Sequence, residues 1–203
     1  MYRMKYLIGI DEAGRGPLAG PVSVGAMMVP VDFDFSQLEG VRDSKKLSEK
    51  KREALFTRFE QLLDAGALQF AVAFSSAATI DEVGIVPAIR AALAETLTVL
   101  GAKPNECEIR LDGSLAAPKE FTMQQTIIRG DDTEPVISMA SIAAKVTRDR
   151  YMQNIAPEYP QYGFEVHKGY GTLFHRQVIL KEGISPLHRA SFCKALHKAP
   201  KSV

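Results

Sequence analysis

The sequence predicts an α/β fold, a sheet with helices on its faces followed by a helical C-terminal part. Two observations support this. Short apolar segments that end in acids or glycine alternate with segments whose apolar residues recur at helical spacing, and the last part of the chain contains two short helical patterns. Such alternation is typical of sheets covered by helices. We expect residues 1–203 to form a single domain, of which about 157–203 is a helical extension.

The first part of the chain contains two predicted strands and a helix. Residues 5–12 (KYLIGIDE) are apolar and end in acids, and a glycine-rich loop joins them to a second strand over 20–29. Ser48 is a suitable N-cap for a helix over about 49–65, because apolar residues follow it at helical spacing. The order predicts a hairpin-like start and then a helix.

A strand and a long helix follow. Residues 68–75 alternate in polarity, as strands do. Thr79 is the predicted N-cap of one helix that runs to about residue 100, and Gly101 is its predicted stop signal.

The second half of the chain contains two more strands and three helices. The strands are predicted at 107–112 and about 121–129, and the helices at about 137–155, 172–182 and 187–197. Small residues would let the first of these helices lie close against a sheet: Ser138, Ala140, Ser141, Ala143 and Ala144.

Composition narrows the class of protein. Hydrophobic residues make up 46% and charged residues 24% of the 203, the balance of a globular protein, and no apolar run is long enough to span a membrane. The two cysteines are far apart and in no metal-type spacing, which favours a reducing, cytoplasmic location. The beginning of the chain does not have the pattern of a signal peptide.

The net charge of +1 is too small for a protein that grips nucleic acid by overall charge, so binding would depend on local basic patches. Solvated helix faces are the alternative interpretation of both candidates. The first candidate patch consists of Lys45, Lys46, Lys50, Lys51 and Arg52. The second consists of Lys168, Arg176, Lys181, Arg189, Lys194, Lys198 and the four histidines, His167, His175, His188 and His197.

Four acids follow predicted strands. Asp11 and Glu12 end the first strand, Asp112 ends a later one, and Asp131 comes just after a third. If the first two of these strands are neighbours, their acids converge at the sheet edge where α/β proteins place their sites. Adjacent strand residues point to opposite faces, so Glu12 would share the site only from beyond the regular strand or through its backbone carbonyl. Ordinary turn acids are the alternative.

Clustered carboxylates raise one another's pKa unless cations compensate their charge. Oxygen ligands alone suit Mg²⁺ or Mn²⁺ rather than zinc. Two such ions about 4 Å apart can activate a water and stabilise the leaving oxygen of a phosphodiester. The acids therefore indicate a metal-dependent phosphodiester hydrolase.

Two glycine-flanked residues are candidates for substrate binding. Gly14 and Gly16 surround Arg15 and let the backbone approach a ligand closely. The spacing of glycines also resembles a dinucleotide-binding loop, but the preceding acids would repel a pyrophosphate, and an exposed loop without ligand is a further alternative. Tyr170 lies between two glycines among basic residues, where it could stack on a sugar or base, although packing is the commoner role.

At this point the sequence resembles a known family, the type 2 ribonucleases H, which include the bacterial ribonuclease HII enzymes. The resemblance covers about residues 7 to 193, and its first motif is highly specific. The matching segments occur in the family's order: GIDEAGRGPLAGPV (9–22), DSKKLS (43–48), LDG (111–113), RGD (129–131), SIAAKVTRD (141–149), PQYGFEVHKGYGT (160–172) and GISPLHRASF (183–192).

The resemblance implies a ribonuclease H-like mixed sheet flanked by helices, with a helical C-terminal region. It implies that Asp11, Glu12, Asp112 and Asp131 are catalytic and bind two divalent ions, Mn²⁺ or Mg²⁺. It implies that the loop of Gly14, Arg15 and Gly16 grips the ribonucleotide and its 2′-hydroxyl, that Tyr170 stacks by the sugar, and that Lys45 and Lys46 lie near backbone phosphates.

The implied substrates are RNA–DNA hybrids and duplex DNA with embedded ribonucleotides, cut 5′ to a ribonucleotide to leave 3′-hydroxyl and 5′-phosphate ends. We expect a monomer without membrane association. Arg15 separates the chain from type 3 enzymes, which resemble it but carry threonine there. Gly84, Met139 and Ala143 depart from the family pattern, though none is a proposed ligand.

Three alternatives remain at this stage. Another ribonuclease H-like nuclease or a strand-transfer enzyme would use the same acids but ignore the 2′-hydroxyl. A non-catalytic nucleic-acid binding module would not cut. Asp149 is the rival of Asp131 as the fourth ligand, although its place after Arg148 on a predicted helix favours a salt bridge there.

Overall fold

The computed structural model describes residues 4–41 and 47–197, with a five-stranded sheet at the centre. The strands lie in the order β3-β2-β1-β4-β5. β2 runs antiparallel to β1 and β3, whereas β1, β4 and β5 are mutually parallel, so the sheet is mixed as expected. The strands are β1 (Tyr6–Ala13), β2 (Val22–Pro30), β3 (Gln69–Ser75), β4 (Cys107–Asp112) and β5 (Gln124–Ile127).

Helices cover both faces of this sheet. Their bounds are α1 (Glu49–Asp64), α2 (Ala77–Val83), α3 (Ile85–Val99), α4 (Gly130–Thr133), α5 (Pro135–Ile155), α6 (Phe164–His167), α7 (Leu173–Glu182) and α8 (Ala190–Cys193). α3 packs on one face, and α1 and α5 on the other. β2 is accordingly buried along almost its whole length, which explains why its sequence is continuously apolar rather than alternating.

One predicted helix is in fact two helices. Instead of one helix from Thr79 to about residue 100, the chain forms α2 and α3, which meet at Gly84. Gly84 has φ +85°, a conformation that glycine adopts without steric cost. The N-cap is also Ser76 and not Thr79, because the Ser76 side chain accepts a hydrogen bond from the Thr79 backbone N–H.

Other predicted elements differ mainly in their ends. The strand predicted over 121–129 is shortened to β5, and the helix predicted from about 137 begins at Pro135, directly after the short helix α4. The helix predicted over 187–197 consists of α8 and a 3₁₀ turn at Lys194–His197. Further 3₁₀ turns lie at Phe35–Gln37 and Ala156–Glu158.

Helix α5 lies against the two central strands, as its small residues predicted. Two strand glycines allow the contact. A Cβ atom added at Gly9 would meet the carbonyl oxygen of Val136 at 2.2 Å, and one at Gly25 would meet that of Ala140 at 2.5 Å. The backbone of the helix therefore occupies the space that side chains would take on these strands.

The elements after α5 pack onto the loop that follows β1. A small apolar cluster joins Ala19 and Met152 to Phe164 and Ile179 of the C-terminal helices. Ala19 also forms an isolated antiparallel bridge with His188. No helix in the described part of the chain is both long and apolar enough to cross a membrane.

Candidate active site

The carboxyl ends of β1 and β4 bring two acids side by side. The parallel register pairs Ile10 with Leu111, so the next residues, Asp11 and Asp112, follow at the same edge of the sheet. Both line one cavity of about 360 Å³. Burial of Asp11, together with the nearby charges of Asp112 and Glu12, raises the pKa of the Asp11 carboxyl well above its usual range. The predicted convergence of these strands is confirmed.

Glu12 lines the same cavity, although it is inside β1 and not beyond it. Of the two expected routes to the site, a position beyond the regular strand therefore does not apply, and a contribution through the backbone carbonyl stays a prediction. The pairing of β1 with β4 ends at Ile10, while β1 continues to Ala13 along β2 alone. The β4 side of β1 is therefore open over these last residues, where Asp11 and Glu12 both border the cavity. The Glu12 carboxylate also accepts a hydrogen bond from Arg15 at 2.8 Å.

Asp131 belongs to the short helix α4 and contacts Asp112 through its backbone. The backbone N–H of Asp131 donates to Oδ1 of Asp112 at 3.3 Å, and the residue is fully buried. Its position is constrained locally, since a Cβ at Gly130 would come within 2.6 Å of the Ile137 side chain. Unlike the other three acids, Asp131 does not line the cavity.

Asp149 makes the expected salt bridge within its helix. Its carboxylate accepts from Lys145 at 2.7 Å, one turn earlier on α5, rather than pairing with the adjacent Arg148. Lys145 lines the cavity, whereas Asp149 does not. The structure therefore places Asp149 behind a cavity lysine.

The loop of Gly14, Arg15 and Gly16 forms one wall of the cavity. Gly14 has φ +84°, and a Cβ there would lie 2.0 Å from Nε of Arg148. Gly16 is exposed and has open space around it, and the Arg15 side chain is 44% exposed. The loop thus presents its arginine to solvent while its first glycine is packed tightly.

Two buried arginines hold this loop from behind. Arg189 donates to the carbonyl oxygens of Gly14 at 2.7 Å, Arg15 at 3.0 Å and Gly20 at 2.9 Å. Arg148 donates to those of Ala19, Pro21 and Lys168. Both side chains are fully buried.

The second predicted basic patch is therefore wrong for four of its members, whereas Arg176, Lys181 and Lys194 are exposed. Arg189, Lys168, His175 and His188 are buried and do not form a solvated basic surface. Lys198 lies outside the described residues. Arg189, Lys168 and His175 donate to backbone carbonyls, and His188 pairs with His175, so these buried donors have acceptors.

Tyr170 also lines the cavity. Its side chain is 42% exposed, and its ring lies 5.6 Å from Nζ of Lys145 and 5.8 Å from the Arg148 guanidinium carbon. It is therefore not a core residue, in agreement with its interpretation as a contact residue. Lys45 and Lys46, the remaining candidates, lie outside the described residues.

Three residues that line the cavity were not predicted to be site residues from the sequence. Arg52 and Lys145 line it and bring positive charge to an acidic site, and Ser141 gives a side-chain hydrogen bond to Asp11. Arg52 was named only as part of a basic run, and Ser141 and Lys145 only within the SIAAKVTRD segment. The close approach of α5 to β1 would have indicated Ser141, but only once the pairing of helix and strand was known.

The donor set fits divalent cations that take oxygen ligands. Within residues 4–41 and 47–197, no three His, Cys, Asp or Glu side chains are gathered closely enough to form a metal site by themselves. The neighbouring carboxylates of Asp11 and Asp112 nevertheless fit Mg²⁺-like ions, which commonly use one or two carboxylates and complete their shell with water and substrate phosphate. Burial and, after it, the charge of Asp112 raise the pKa of Asp11, and a bound cation would favour the charged carboxylate there.

Comparison with solved structures agrees with this architecture. A ribonuclease HII from Archaeoglobus fulgidus, determined in complex with PCNA, superposes with a TM-score of 0.75 at 24% identity over 97% of both chains. The ribonuclease H2 of Pyrococcus horikoshii OT3 gives a TM-score of 0.71 at 24% identity, covering 95% of this chain and 97% of that one. Bst-RNase HIII, determined in complex with Mn²⁺, gives 0.66 at 16% identity over 98% and 72%.

Sequence comparison is more specific. The ribonuclease HII family model matches residues 8–195. Ribonuclease HII of Geobacillus kaustophilus is 44% identical over 189 residues, which cover 93% of this chain and 68% of that protein. Ribonuclease HII of Geotalea daltonii is 44% identical over 186 residues, covering 92% and 82%. Because the family match spans nearly the whole sequence, the chain belongs to the ribonuclease HII family of endoribonucleases.

Proposed function

We propose that this endoribonuclease hydrolyses the RNA strand of RNA–DNA hybrids and cuts 5′ to ribonucleotides embedded in duplex DNA, leaving 3′-hydroxyl and 5′-phosphate ends. One observation carries the proposal. The acids Asp11, Glu12 and Asp112 open onto the same cavity as the Arg15 loop and Tyr170. Groups suited to phosphodiester hydrolysis and groups suited to reading a sugar therefore face one substrate position.

Asp11, Glu12, Asp112 and Asp131 would hold two divalent ions, Mn²⁺ or Mg²⁺. When bound, such ions activate a water and stabilise the departing 3′-oxygen. Asp11 and Asp112 would hold the ions together, because they lie side by side at the ends of adjacent strands. The Ser141 hydrogen bond and the Glu12 backbone N–H, at 2.8 Å, orient the Asp11 carboxylate.

The Gly14–Gly16 loop supplies recognition of the sugar. Its backbone and the Arg15 side chain would contact the 2′-hydroxyl, the group that distinguishes RNA from DNA at one position. Arg189 donates to two carbonyls of this loop, and Arg148 donates to the carbonyl of Ala19 just beyond it, so buried hydrogen bonds hold the segment in place. A loop held in place supports discrimination of RNA from DNA. A site shaped to bind the 2′-hydroxyl leaves its own polar groups unpaired when the hydroxyl is absent.

The remaining groups place the strand. Tyr170 would stack by the sugar on the far side of the cleavage point, and Lys145 and Arg52 line the cavity where phosphates would lie. Lys45 and Lys46 are proposed to contact phosphates further along. Phosphate contacts position the duplex without reading sequence, so cutting should depend on the sugar and not on the base. We propose that the chain acts as a monomer in the cytoplasm.

The test compares three labelled duplexes of one sequence with Mg²⁺ or Mn²⁺: a hybrid, a DNA duplex with one ribonucleotide, and all-DNA. We expect metal-dependent cutting of the first two, mapped 5′ to the ribonucleotide, and none of the third. Asp11→Asn should abolish turnover, while Asp64→Asn, an exposed acid at the end of α1, should retain it.

Cutting of the all-DNA duplex would instead favour a general ribonuclease H-like nuclease or strand-transfer enzyme. Binding of the hybrid without cutting under any metal would favour a binding module. Near-normal turnover by Asp11→Asn would remove the assignment of the carboxylate site.

A further inference from the structure

Three histidines of the C-terminal part form a buried cluster behind Tyr170. His175 is fully buried and His188 is 4% exposed. The rings of His167 and His175 stack with their centroids 4.3 Å apart, and Nε2 of His175 lies 3.0 Å from Nε2 of His188. Tyr162 and Phe164 pack around these rings. The proposed chemistry assigns no role to this cluster.

The hydrogen-bond partners determine where each proton lies. Nδ1 of His175 is 2.9 Å from the carbonyl oxygen of Tyr170, which can only accept, so this nitrogen carries hydrogen. In a neutral ring Nε2 of His175 is then an acceptor, and Nε2 of His188 must donate to it. Nδ1 of His188 is left as an acceptor, and it receives the backbone N–H of Ser185 at 2.9 Å.

The three hydrogen bonds therefore run in one direction: Ser185 donates to His188, His188 donates to His175, and His175 donates to the carbonyl of Tyr170. Each link has one donor and one acceptor only when both rings are neutral. An additional proton on Nε2 of His175 would set two N–H groups against each other across 3.0 Å. An additional proton on Nδ1 of His188 would face the backbone N–H of Ser185 across 2.9 Å. Burial lowers the pKa of each of the two histidines to about 4, which keeps both rings neutral near pH 7.

Tyr170 is held by this cluster at both of its backbone polar groups. Its N–H donates to the carbonyl of His167 at 2.9 Å, and its carbonyl accepts from His175. Its side chain meanwhile stands in the active-site cavity. The backbone of the tyrosine is therefore anchored from behind while its ring remains available to substrate.

We propose that His175 and His188 are positioning residues that fix Tyr170 for the ribonucleotide through this directed chain. The proposal rests on the proposed function, since it assigns the chain's effect to the tyrosine that stands by the sugar. A 1 Å misplacement of such a contact residue can reduce rate up to about a hundredfold. The histidines would act on activity without touching the substrate.

The first test measures the tautomers directly. In the ¹⁵N-labelled wild-type protein at pH 7, the histidine ring nitrogens should show His175 protonated at Nδ1 and His188 protonated at Nε2. Single replacements His175→Gln and His188→Gln assign the signals. His175 protonated at Nε2, or either ring charged at pH 7, would overturn the chain, whatever the activity of any variant.

The second test asks whether the effect passes through Tyr170. On a duplex with one ribonucleotide, we expect His175→Leu to lower kcat/KM by about tenfold or more. His175→Asn, which keeps a donor near the Nδ1 position, should recover much of the loss. Tyr162→Phe is the matched control: it removes a hydrogen bond of 3.0 Å to Gly183 in the same cluster but leaves the chain intact, so kcat/KM should stay unchanged.

A double-mutant cycle then decides between positioning and a general structural effect. In a Tyr170→Ala background, His175→Leu should cause little further loss, because the residue through which it acts is gone. Multiplicative losses would overturn the proposal, as would an unaltered kcat/KM in a folded His175→Leu variant. If His175→Leu does not fold, His188→Gln replaces it in the cycle.

Failure of this inference is separable from failure of the proposed function. If Asp11→Asn is inactive but Tyr170→Ala is unimpaired, the nuclease assignment stands and the positioning proposal fails. If the wild-type protein cuts no ribonucleotide-containing duplex, the proposed function fails and the positioning role fails with it, even if the ring tautomers are as described.

Discussion

At the residue scale, Gly14 connects the Gly14–Gly16 loop to the buried Arg148 and Arg189. The position requires φ +84° and leaves no room for a side chain against Arg148. The sequence indicated neither of these two needs; it predicted that glycines around an arginine let the backbone approach a ligand closely. The second arises from a residue more than a hundred positions later in the chain.

Gly14→Ala is expected to destabilise the protein by about 3 kcal/mol or more, since it combines left-handed strain with overpacking. Gly66→Ala is the matched control. Gly66 also has positive φ, +69°, but has nothing within 4 Å of its added Cβ, so only the strain of about 1 kcal/mol applies. Urea unfolding of both variants measures the difference, and equal losses would contradict the tight packing of Arg148 on Gly14.

Asp11 illustrates a residue whose charge opposes folding. Its pKa is raised in the folded state, so its contribution favours folding at low pH and becomes unfavourable as pH rises through the folded pKa. With EDTA present at pH 7, Asp11→Asn should therefore melt at a higher temperature than the wild type.

Added Mn²⁺ should stabilise the wild type and leave Asp11→Asn nearly unaffected, because a ligand that binds only the folded state raises its stability. Thermal unfolding with EDTA and with Mn²⁺ measures both effects. A lower melting temperature for Asp11→Asn in EDTA would show that its hydrogen bonds outweigh the repulsion among the acids.

At the element scale, the site depends on where the strands and the short helix α4 begin and end. β1 extends beyond its pairing with β4, and that overhang lets Asp11 and Glu12 reach one cavity. α4 is only Gly130–Thr133, but it brings the Asp131 backbone to Asp112. Element ends are what sequence patterns determine least well, and here they decide which acids meet.

If Asp131 is the fourth ligand, Asp131→Asn should lower kcat by about a hundredfold or more. Replacing a residue that only hydrogen-bonds a metal ligand typically costs about 10- to 100-fold, so a ligand should cost at least as much. Asp149→Asn should cost less than about tenfold, because Asp149 reaches the cavity only through Lys145. Asp132→Asn, next to Asp131 but only partly buried, is the control. Steady-state cleavage of the single-ribonucleotide duplex decides, and a larger loss at Asp149 would reverse the assignment.

At the scale of the whole molecule, the C-terminal part is joined to the sheet by polar contacts as much as by apolar ones. Arg189 donates to three carbonyls in and just beyond the Gly14–Gly16 loop. Asp81 of α2 accepts the backbone N–H groups of Ala190 and Ser191 at the start of α8. The histidine cluster lies within this joined region, so its protonation should influence the stability of the whole.

Acid should destabilise the protein through this cluster. The pKa of His175 and of His188 is about 4 when folded, against 6.5 in the unfolded chain, so the unfolded state binds more protons between these values. Their contribution to stability is full above pH 6.5 and is lost as pH falls toward 4. We expect a loss of about 2–4 kcal/mol between pH 7.5 and pH 5.

Urea unfolding at several pH values measures this slope. The double variant His175→Gln, His188→Gln should be less stable at pH 7.5 but show a flatter dependence on pH. An unchanged slope in the double variant would mean that other groups cause the acid sensitivity, and that these two rings are not held neutral by burial.

The sequence by itself determined the strand and helix types, the acids at strand ends and the glycine–arginine loop, because periodicity and turn chemistry are local properties. It also identified the family through an ordered set of motifs. It misjudged the continuous helix over 79–100, which Gly84 divides, and the basic C-terminal patch, in which Lys168, Arg189 and two histidines are buried. Neither error concerned the acids.

Only the tertiary structure decided how those parts combine. The parallel pairing of β1 with β4 joins Asp11 to Asp112 across a hundred residues, and the overhang of β1 adds Glu12. The C-terminal fold places Arg189 behind the loop and His175 behind Tyr170. Such long-range contacts depend on which surfaces bury one another, and burial is set by the whole chain and not by any one segment.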